Sequence, residues 1–312
     1  MKSYWNKYKL SSMFEMAKNG NKNPKECLED FNGKLVLITG ATSGIGYETA
    51  KEYASHGTNI LSINRNEEKS KKLKQEIEKE FNVKCDYLIA DFEKISDVIK
   101  VGKKLADSKI KIDVLIHNVG IHLTGRKLTK DNIEKVFQVN YLGSFIINYL
   151  LKEKLKKQKN CRILFVNSEG HRFAFYGVPW NDINCNKRFY WDLQSYGIAK
   201  TAQLHSMIIL NDYYKNSGVT INACHPGLVK TNIGMCNGPV YRFFKKLLND
   251  PFARHPKISA KALYYLGVCK EMKNVSAKYF SLTTLEEPAP HAWDKEAAKE
   301  TWINSIKLVG LK

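Results

Sequence analysis

The sequence of 312 residues predicts a doubly wound α/β domain on a parallel sheet of about seven strands, preceded by a polar extension. Three observations carry that expectation. From Gly33 onward short apolar runs alternate with longer amphipathic ones, as buried parallel strands alternate with their crossover helices. A glycine-rich turn joins the first apolar run to the first amphipathic one. After residue 33 there is no internal repeat, low-complexity linker or shift of composition, so one domain over 33–312 is the economical division.

Residues 1–32 are polar and basic, with Tyr4, Trp5, Tyr8 and Phe14 among them. They read as an appendage that packs on the domain or frays, or as a short amphipathic helix on a membrane surface. Strands are expected at 34–39, 59–63, 84–90, 113–117, 161–167, 219–224 and 278–281. Helices are expected near 44–56, 66–81, 95–107, 130–156, 193–215 and 258–270. Right-handed crossovers place those helices on both faces of the sheet.

Apolar residues make up 43% and charged residues 26%, a balance that supports a full-sized core and excludes disorder as the default. The net charge of +19 would attract phosphates, acidic ligands or anionic lipid. Its lysines are interleaved with acidic residues, as in 66–80, and no nucleic-acid motif accompanies them, so nucleic-acid binding is not expected. The seven cysteines stand singly, without the paired spacing of a zinc site or disulfide framework; no metal site is expected, and a reducing compartment fits best. No apolar run approaches the roughly 18 residues of a membrane span. A cytoplasmic protein, at most peripheral to a membrane, is the expectation.

The strand Leu35-Val36-Leu37-Ile38-Thr39 runs into Gly40-Ala41-Thr42-Ser43-Gly44-Ile45-Gly46 and then into a helix. In that setting glycines allow a tight turn, close approach of the backbone to a pyrophosphate and close helix–sheet packing, while the helix N-terminus offers free N–H groups. The turn therefore marks the sheet as Rossmann-type. The second strand ends in Asn64-Arg65, where a carboxylate would bond the ribose of NAD. Arg65 instead suits the 2′-phosphate of NADP, so NADP(H) is favoured over NAD(H), unless Arg65 is an ordinary surface arginine. Asp91, after the third strand, can meet an adenine ring, cap the next helix, or do both.

Tyr196 and Lys200 stand four residues apart and share one helix face. The same spacing recurs at Tyr47/Lys51 and Tyr241/Lys245, but only Tyr196/Lys200 follows a buried strand ending in a serine, Ser168, at the edge where such sheets bind ligands. A phenol ionises near pH 10 and needs a cation to act at neutral pH; Lys200 is the expected cation. Tyr196 would then give a proton to a carbonyl oxygen as hydride arrives, with Ser168 holding that oxygen.

With these residues in order, the stretch from 33 to about 285 resembles the short-chain dehydrogenase/reductase family. Thr39 to Gly46, with Thr39, Gly40, Ser43, Gly44, Ile45 and Gly46 at the cofactor, resembles its TGxxxGxG; Asn118-Val119-Gly120 its NNAG; Tyr196 to Lys200 its YxxxK. The resemblance implies that Asn118 and Gly120 line the cofactor site and that Asn140 holds a water linking Lys200 to solvent. It implies the same cofactor role for Tyr196 and Lys200, for Pro226 and Gly227 in the PG motif, and for Thr231 beyond it. His117 and Val119 depart from NNAG, and Asn167 replaces the first of a common serine pair.

Between Ser168 and Tyr196 lie Phe173, Phe175, Tyr176, Trp180, Phe189, Tyr190 and Trp191, which either wall an apolar pocket or pack their own loop. With Lys278-Tyr279-Phe280-Ser281 and Trp302, this insertion is similar to the retinol dehydrogenase-like branch, which includes WW-domain oxidoreductases. That implies a lipophilic alcohol, aldehyde or ketone, such as a retinoid, steroid or fatty carbonyl, and a homo-oligomer. Residues 230–261 hold seven Lys/Arg against Asp250 and read as a substrate lid near 230–257, a membrane contact or a dimer surface. A cofactor-binding scaffold or redox sensor of the same fold, with little turnover, is the alternative function.

Overall fold

The computed structural model describes residues 4–8, 19, 22–230, 233–235, 237–238 and 253–311. One sheet runs through it in the order β3-β2-β1-β4-β5-β6-β7-β8. The strands are β1 (Leu35–Thr39), β2 (Asn59–Asn64), β3 (Cys85–Ile89), β4 (Val114–His117), β5 (Arg162–Val166), β6 (Thr220–His225), β7 (Tyr279–Ser281) and β8 (Thr284–Glu286). All neighbours pair in parallel except β7 with β8. The chain therefore starts mid-sheet, winds outward to β3, then returns past β1 to β4. That reversal opens a crevice at the carboxyl ends of β1 and β4, where such sheets take ligands.

The helices are α1 (Gly44–Ser55), α2 (Glu67–Phe81), α3 (Ile95–Asp107), α4 (Gly143–Gln158), α5 (Asp192–Tyr213), α6 (Lys257–Val268) and α7 (Lys295–Val309). Two buried clusters flank the sheet. On one face α3, α4 and α5 contribute Val101, Phe145, Leu151 and Leu204 against Leu37, Leu115 and Ile163. On the other, α1, α2 and α6 contribute Ala50, Leu73 and Leu263 against Val36, Ile116 and Leu164. Alternate residues of β1 point into opposite clusters, which is why these strands read as unbroken apolar runs.

The helix expected over 130–156 begins later and less regularly. Asn132 takes a positive φ of 58° and Leu128 bridges Glu134. The Glu134 carboxylate accepts from the Val136 and Phe137 amides at 3.1 and 2.7 Å, starting a short α turn, Lys135–Phe137. A π-helical stretch, Gln138–Leu142, then leads into α4. Such single π turns are rare and tend to sit at functional sites; this one carries Asn140.

The eighth strand and α7 lie outside the expected elements. A tight turn with Leu282 at φ 53° folds β8 back on β7. Helix α7 is held by polar as well as apolar contacts: His205 Nδ1 meets Thr301 Oγ1 at 2.8 Å, and Tyr141 meets Ser305 Oγ at 2.7 Å. The described part of the extension packs on the domain. Tyr4 donates to Asp294 at 3.0 Å, Tyr8 meets His291 Nδ1 at 2.7 Å and Asn19 donates to Glu286 at 3.1 Å. No described helix is long and apolar enough to cross a membrane.

Candidate functional site

The glycine-rich turn is shaped by what glycine alone permits. Gly40 and Gly44 take φ of +72° and +57°, and a Cβ on Gly46 would lie 2.2 Å from the Gly40 carbonyl oxygen. The turn is clamped from three strands. Asn64 Oδ1 accepts from the Ala41 amide at 2.8 Å; Thr39 Oγ1 accepts from the Asn118 and Val119 amides at 3.0 and 3.2 Å; Asn118 Nδ2 donates to the Thr39 and Gly40 carbonyls at 3.2 and 2.9 Å. Asn118 is thus a latch between β4 and the turn. Ser43, extended at φ −165°, begins α1 without a side-chain cap, so the first-turn N–H groups of α1 have no Ser43 partner.

At the adenosine side, Arg65 stands exposed at the end of β2, 3.7 Å from Glu93 Oε1. Asp91 accepts from the Glu93 amide at 3.1 Å, ordering the turn after β3, while the Ile95 amide that starts α3 donates to the Asp131 carboxylate at 2.8 Å. Asp91 therefore caps a turn, and the capping of α3 foreseen as its other role is absent. The donors of the uncapped α1 turn, the Arg65 guanidinium and the open space at Gly120, where a Cβ would meet nothing nearer than Asn140 Oδ1 at 3.8 Å, together fit a phosphorylated dinucleotide.

Ser168, Tyr196 and Lys200 converge beyond β5. The loop after β5 can lie against α5 because two glycines meet there: a Cβ on Gly170 would fall 2.7 Å from the Tyr196 ring, and one on Gly197 2.5 Å from the Gly170 carbonyl oxygen. Ser168 Oγ accepts from the Gly170 amide at 3.0 Å and lies beside the Tyr196 ring: the same Cβ on Gly170 would be 3.3 Å from Ser168 Oγ. Lys200 lies one turn further along α5, its Nζ 5.6 Å from the Tyr196 ring centroid and donating to the Val166 carbonyl at 2.8 Å.

Burial pushes Tyr196 up to about 12, with the Ser168 side chain opposing, and burial drops Lys200 to about 7. The Asn140 side chain is tied to the Ile121 backbone, accepting from the amide at 2.7 Å and donating to the carbonyl at 2.9 Å, while its own carbonyl accepts from Gln203 Nε2 at 2.8 Å.

Several site residues carry no local sequence signal. His122 sets its ring across that of Tyr196, centroids 5.8 Å apart at 75°, with Nε2 3.5 Å from Asp192, one turn before Tyr196. Asn237 donates to the His122 carbonyl at 2.9 Å. His171 Nδ1 meets the Ser168 carbonyl at 2.8 Å and Nε2 accepts from the Ala289 amide at 3.0 Å, which fixes the proton on Nδ1. The loop is braced further by Arg172, bonded to Glu169 at 2.6 Å and Glu286 at 2.8 Å.

The aromatic residues of the insertion divide. Phe173, Phe175 and Trp191 pack together with centroids 5.8–6.5 Å apart in the segment joining Gly170 to α5. Trp180 instead packs edge-on to Phe137 at 5.7 Å, Tyr190 bonds the Leu123 carbonyl at 3.3 Å, and Trp302 packs edge-on to Phe145 at 5.0 Å; these three serve the scaffold. Phe189 is 88% exposed. Beyond β6, Pro226 accepts from Ser259 at 2.6 Å and Gly227 takes φ +79°. Thr231 lies outside the described residues, as does most of the lid segment; its base is closed by Val229 bridging Arg254. Cys27, Glu29 and Cys269 come within 4.8 Å of one another, a grouping their sequence spacing conceals, but the Lys270 amide and Arg162 already engage this corner.

Residues 34–180 match the family model for the short chain dehydrogenases. Human retinol dehydrogenase 13 is 33% identical over 285 residues, 90% of this chain and 86% of that protein. Human WW domain-containing oxidoreductase is 30% identical over 287 residues, 90% of this chain and 69% of the relative. Among solved structures, a short-chain dehydrogenase from Sphingobium yanoikuyae in complex with NADPH superposes with a TM-score of 0.60 at 22% identity, covering 75% of this chain and 83% of that one. One from Burkholderia cenocepacia in complex with NADP gives 0.64 at 19%, covering 84% and 99%. The shared sheet, the ordered motifs and this depth of identity lead to one conclusion: the chain belongs to the short-chain dehydrogenase/reductase family of oxidoreductases, in the branch of its retinol dehydrogenase and WW domain-containing oxidoreductase relatives.

Proposed function

We propose that the protein transfers hydride between NADP(H) and a lipophilic alcohol/carbonyl pair, with Tyr196 as the acid/base. The observation that carries this reading is the convergence of Ser168 and Tyr196 around Gly170, with buried Lys200 one turn along, at the sheet edge that also bears the glycine turn. When bound, the cofactor supplies or accepts the hydride. Thr39, Gly40, Ser43 to Gly46, Asn118 and Gly120 would hold it, with Arg65 on the 2′-phosphate. Ser168 orients a substrate oxygen, and Tyr196, protonated at neutral pH, delivers its proton to that oxygen during reduction. The Phe173–Phe175–Trp191 cluster supports an apolar substrate, in keeping with the retinol dehydrogenase relatives.

Steady-state assays on retinal, steroid ketones and long-chain aldehydes, with NADPH and with NADH, test this. Turnover favouring NADPH and abolished in Tyr196→Phe is expected. Turnover unaffected by that change overturns the reading; tight NADPH binding with no turnover on any substrate favours a scaffold or sensor.

A further inference from the structure

We infer that Gln203 is a positioning residue for Lys200: its buried amide holds the ammonium in place and joins it directly to the Asn140 carbonyl. Gln203 lies on α5, three residues beyond Lys200, and is 1% exposed. Its Oε1 accepts from Lys200 Nζ at 3.3 Å and from Asn167 Nδ2 at 3.1 Å, and its Nε2 donates to the Asn140 carbonyl at 2.8 Å. The amide can be oriented only this way. An ammonium has no acceptor to offer Nε2, and a carbonyl has no donor to offer Oε1.

The same amide reaches the serine. Asn167, which shares Gln203 Oε1, also donates to the Lys200 carbonyl at 3.0 Å and accepts from the Ser168 amide at 2.9 Å. One side chain therefore ties the ammonium of Lys200 to the backbone that presents Ser168 and to the π turn that carries Asn140. The Gln203 amide thus makes one bond to the Lys200 ammonium and one to the Asn140 carbonyl. Val166 takes a second N–H, and both partners are neutral carbonyl oxygens.

Burial moves Lys200 downward, to about 7, and acceptors of the charged form oppose that movement. The ionisable groups on the surrounding elements are Asp192 and Tyr196 on α5, His117 and His122 on and after β4, and Glu169 and His171 after β5. Burial is the cause that shifts Lys200, so the Gln203 contact is the lever a substitution can reach.

The inference rests on the proposed hydride-transfer reading, and its test separates the two. The Lys200 ammonium is titrated by NMR in the full-length protein, assigned with Lys200→Arg, alongside the pH profile of kcat for NADPH-dependent reduction of whichever panel aldehyde turns over. Gln203→Met keeps the length but removes the acceptor; Gln203→Glu keeps the acceptor and adds charge. The midpoint should fall by about one pH unit in the first and rise by at least as much in the second, from the strength of hydrogen bonds to charged groups. The alkaline limb of kcat should follow in each direction. Equal midpoints in wild type and both variants overturn the inference while leaving the Tyr196 reading intact. If Gln203→Met does not fold, Gln203→Glu alone decides by the sign of its shift. Loss of all turnover in Tyr196→Phe, with the midpoint still moving in the Gln203 variants, supports both.

Discussion

Gly46→Ala and Gly120→Ala should separate the scaffold of the cofactor site from its open space. At Gly46 the added methyl would sit 2.2 Å from the Gly40 carbonyl oxygen and 2.5 Å from Asn118 Nδ2. Neither neighbour can step aside cheaply: one is backbone, and the other is pinned by hydrogen bonds of 3.2 and 2.9 Å to the Thr39 and Gly40 carbonyls. Overpacking of this kind costs about 1–3 kcal/mol, and breaking the Asn118 latch adds about 1 kcal/mol. The better helix propensity of alanine returns at most about 1 kcal/mol. A net loss of about 1–3 kcal/mol remains, enough to lower the melting temperature by several degrees. Because the displaced atoms belong to the turn assigned to the pyrophosphate, NADPH affinity should fall at least about tenfold, the equivalent of about 1.4 kcal/mol.

At Gly120 the methyl meets nothing closer than 3.8 Å, so stability should stay within about 0.5 kcal/mol of wild type. The methyl would nevertheless occupy space beside Lys200 Nζ, so NADPH binding should weaken without any change in melting. Thermal melting and NADPH fluorescence titration of both variants read the two effects. Wild-type melting and affinity in Gly46→Ala would refute the packing of the turn, and unaltered NADPH affinity in Gly120→Ala would refute the placement of the cofactor.

Arg65→Ala should erase most of the preference for NADPH over NADH, measured as the ratio of the two dissociation constants; a preference that survives puts the 2′-phosphate contact on another residue. Buried His171 and His205 are held neutral down to about 4, and His291 to about 3. Their folded values lie below the ordinary one, so their contribution is complete above about pH 6.5 and is lost as pH falls toward 4, at about 1.4 kcal/mol per histidine and pH unit. Urea unfolding should show a fall on the order of several kcal/mol over that window, and a flat profile would contradict the neutral network. Arg172→Met should cost about 3–5 kcal/mol in the same assay at pH 7, because Glu169 and Glu286 are left buried without their cation; a loss under about 1 kcal/mol would mean the bracing is nominal.

The parts legible in the sequence are those whose physics is local. Strands β1, β4 and β5 are covered on both faces, so they appear as apolar runs, and the glycine turn declares itself because its residues are adjacent. Tyr196 and Lys200 share a helix face, and Ser168 ends the preceding strand. Helix α7 lies outside the expected helices because its inward face mixes buried Ala298, Thr301, Ser305 and Val309 with half-buried Trp302 and Ile306, so hydroxyls interrupt its apolar stripe. Strand β8 spans only Thr284–Glu286 and is defined by its pairing with β7. The partnership of His122 with Tyr196, and of Gln203 with Asn140, joins positions far apart in the chain, so only the fold reveals it. The depth of burial at Tyr196 and Lys200 is likewise a property of the whole domain, which the spacing of the pair does not show.

A crystal structure of the NADPH complex would test the central claim most directly. The nicotinamide C4 should lie on the Ser168 and Tyr196 side of the crevice, within about 3–4 Å of where a carbonyl bonded to both hydroxyls would stand. A nicotinamide ring turned away from those hydroxyls, or seated elsewhere on the sheet edge, would contradict it.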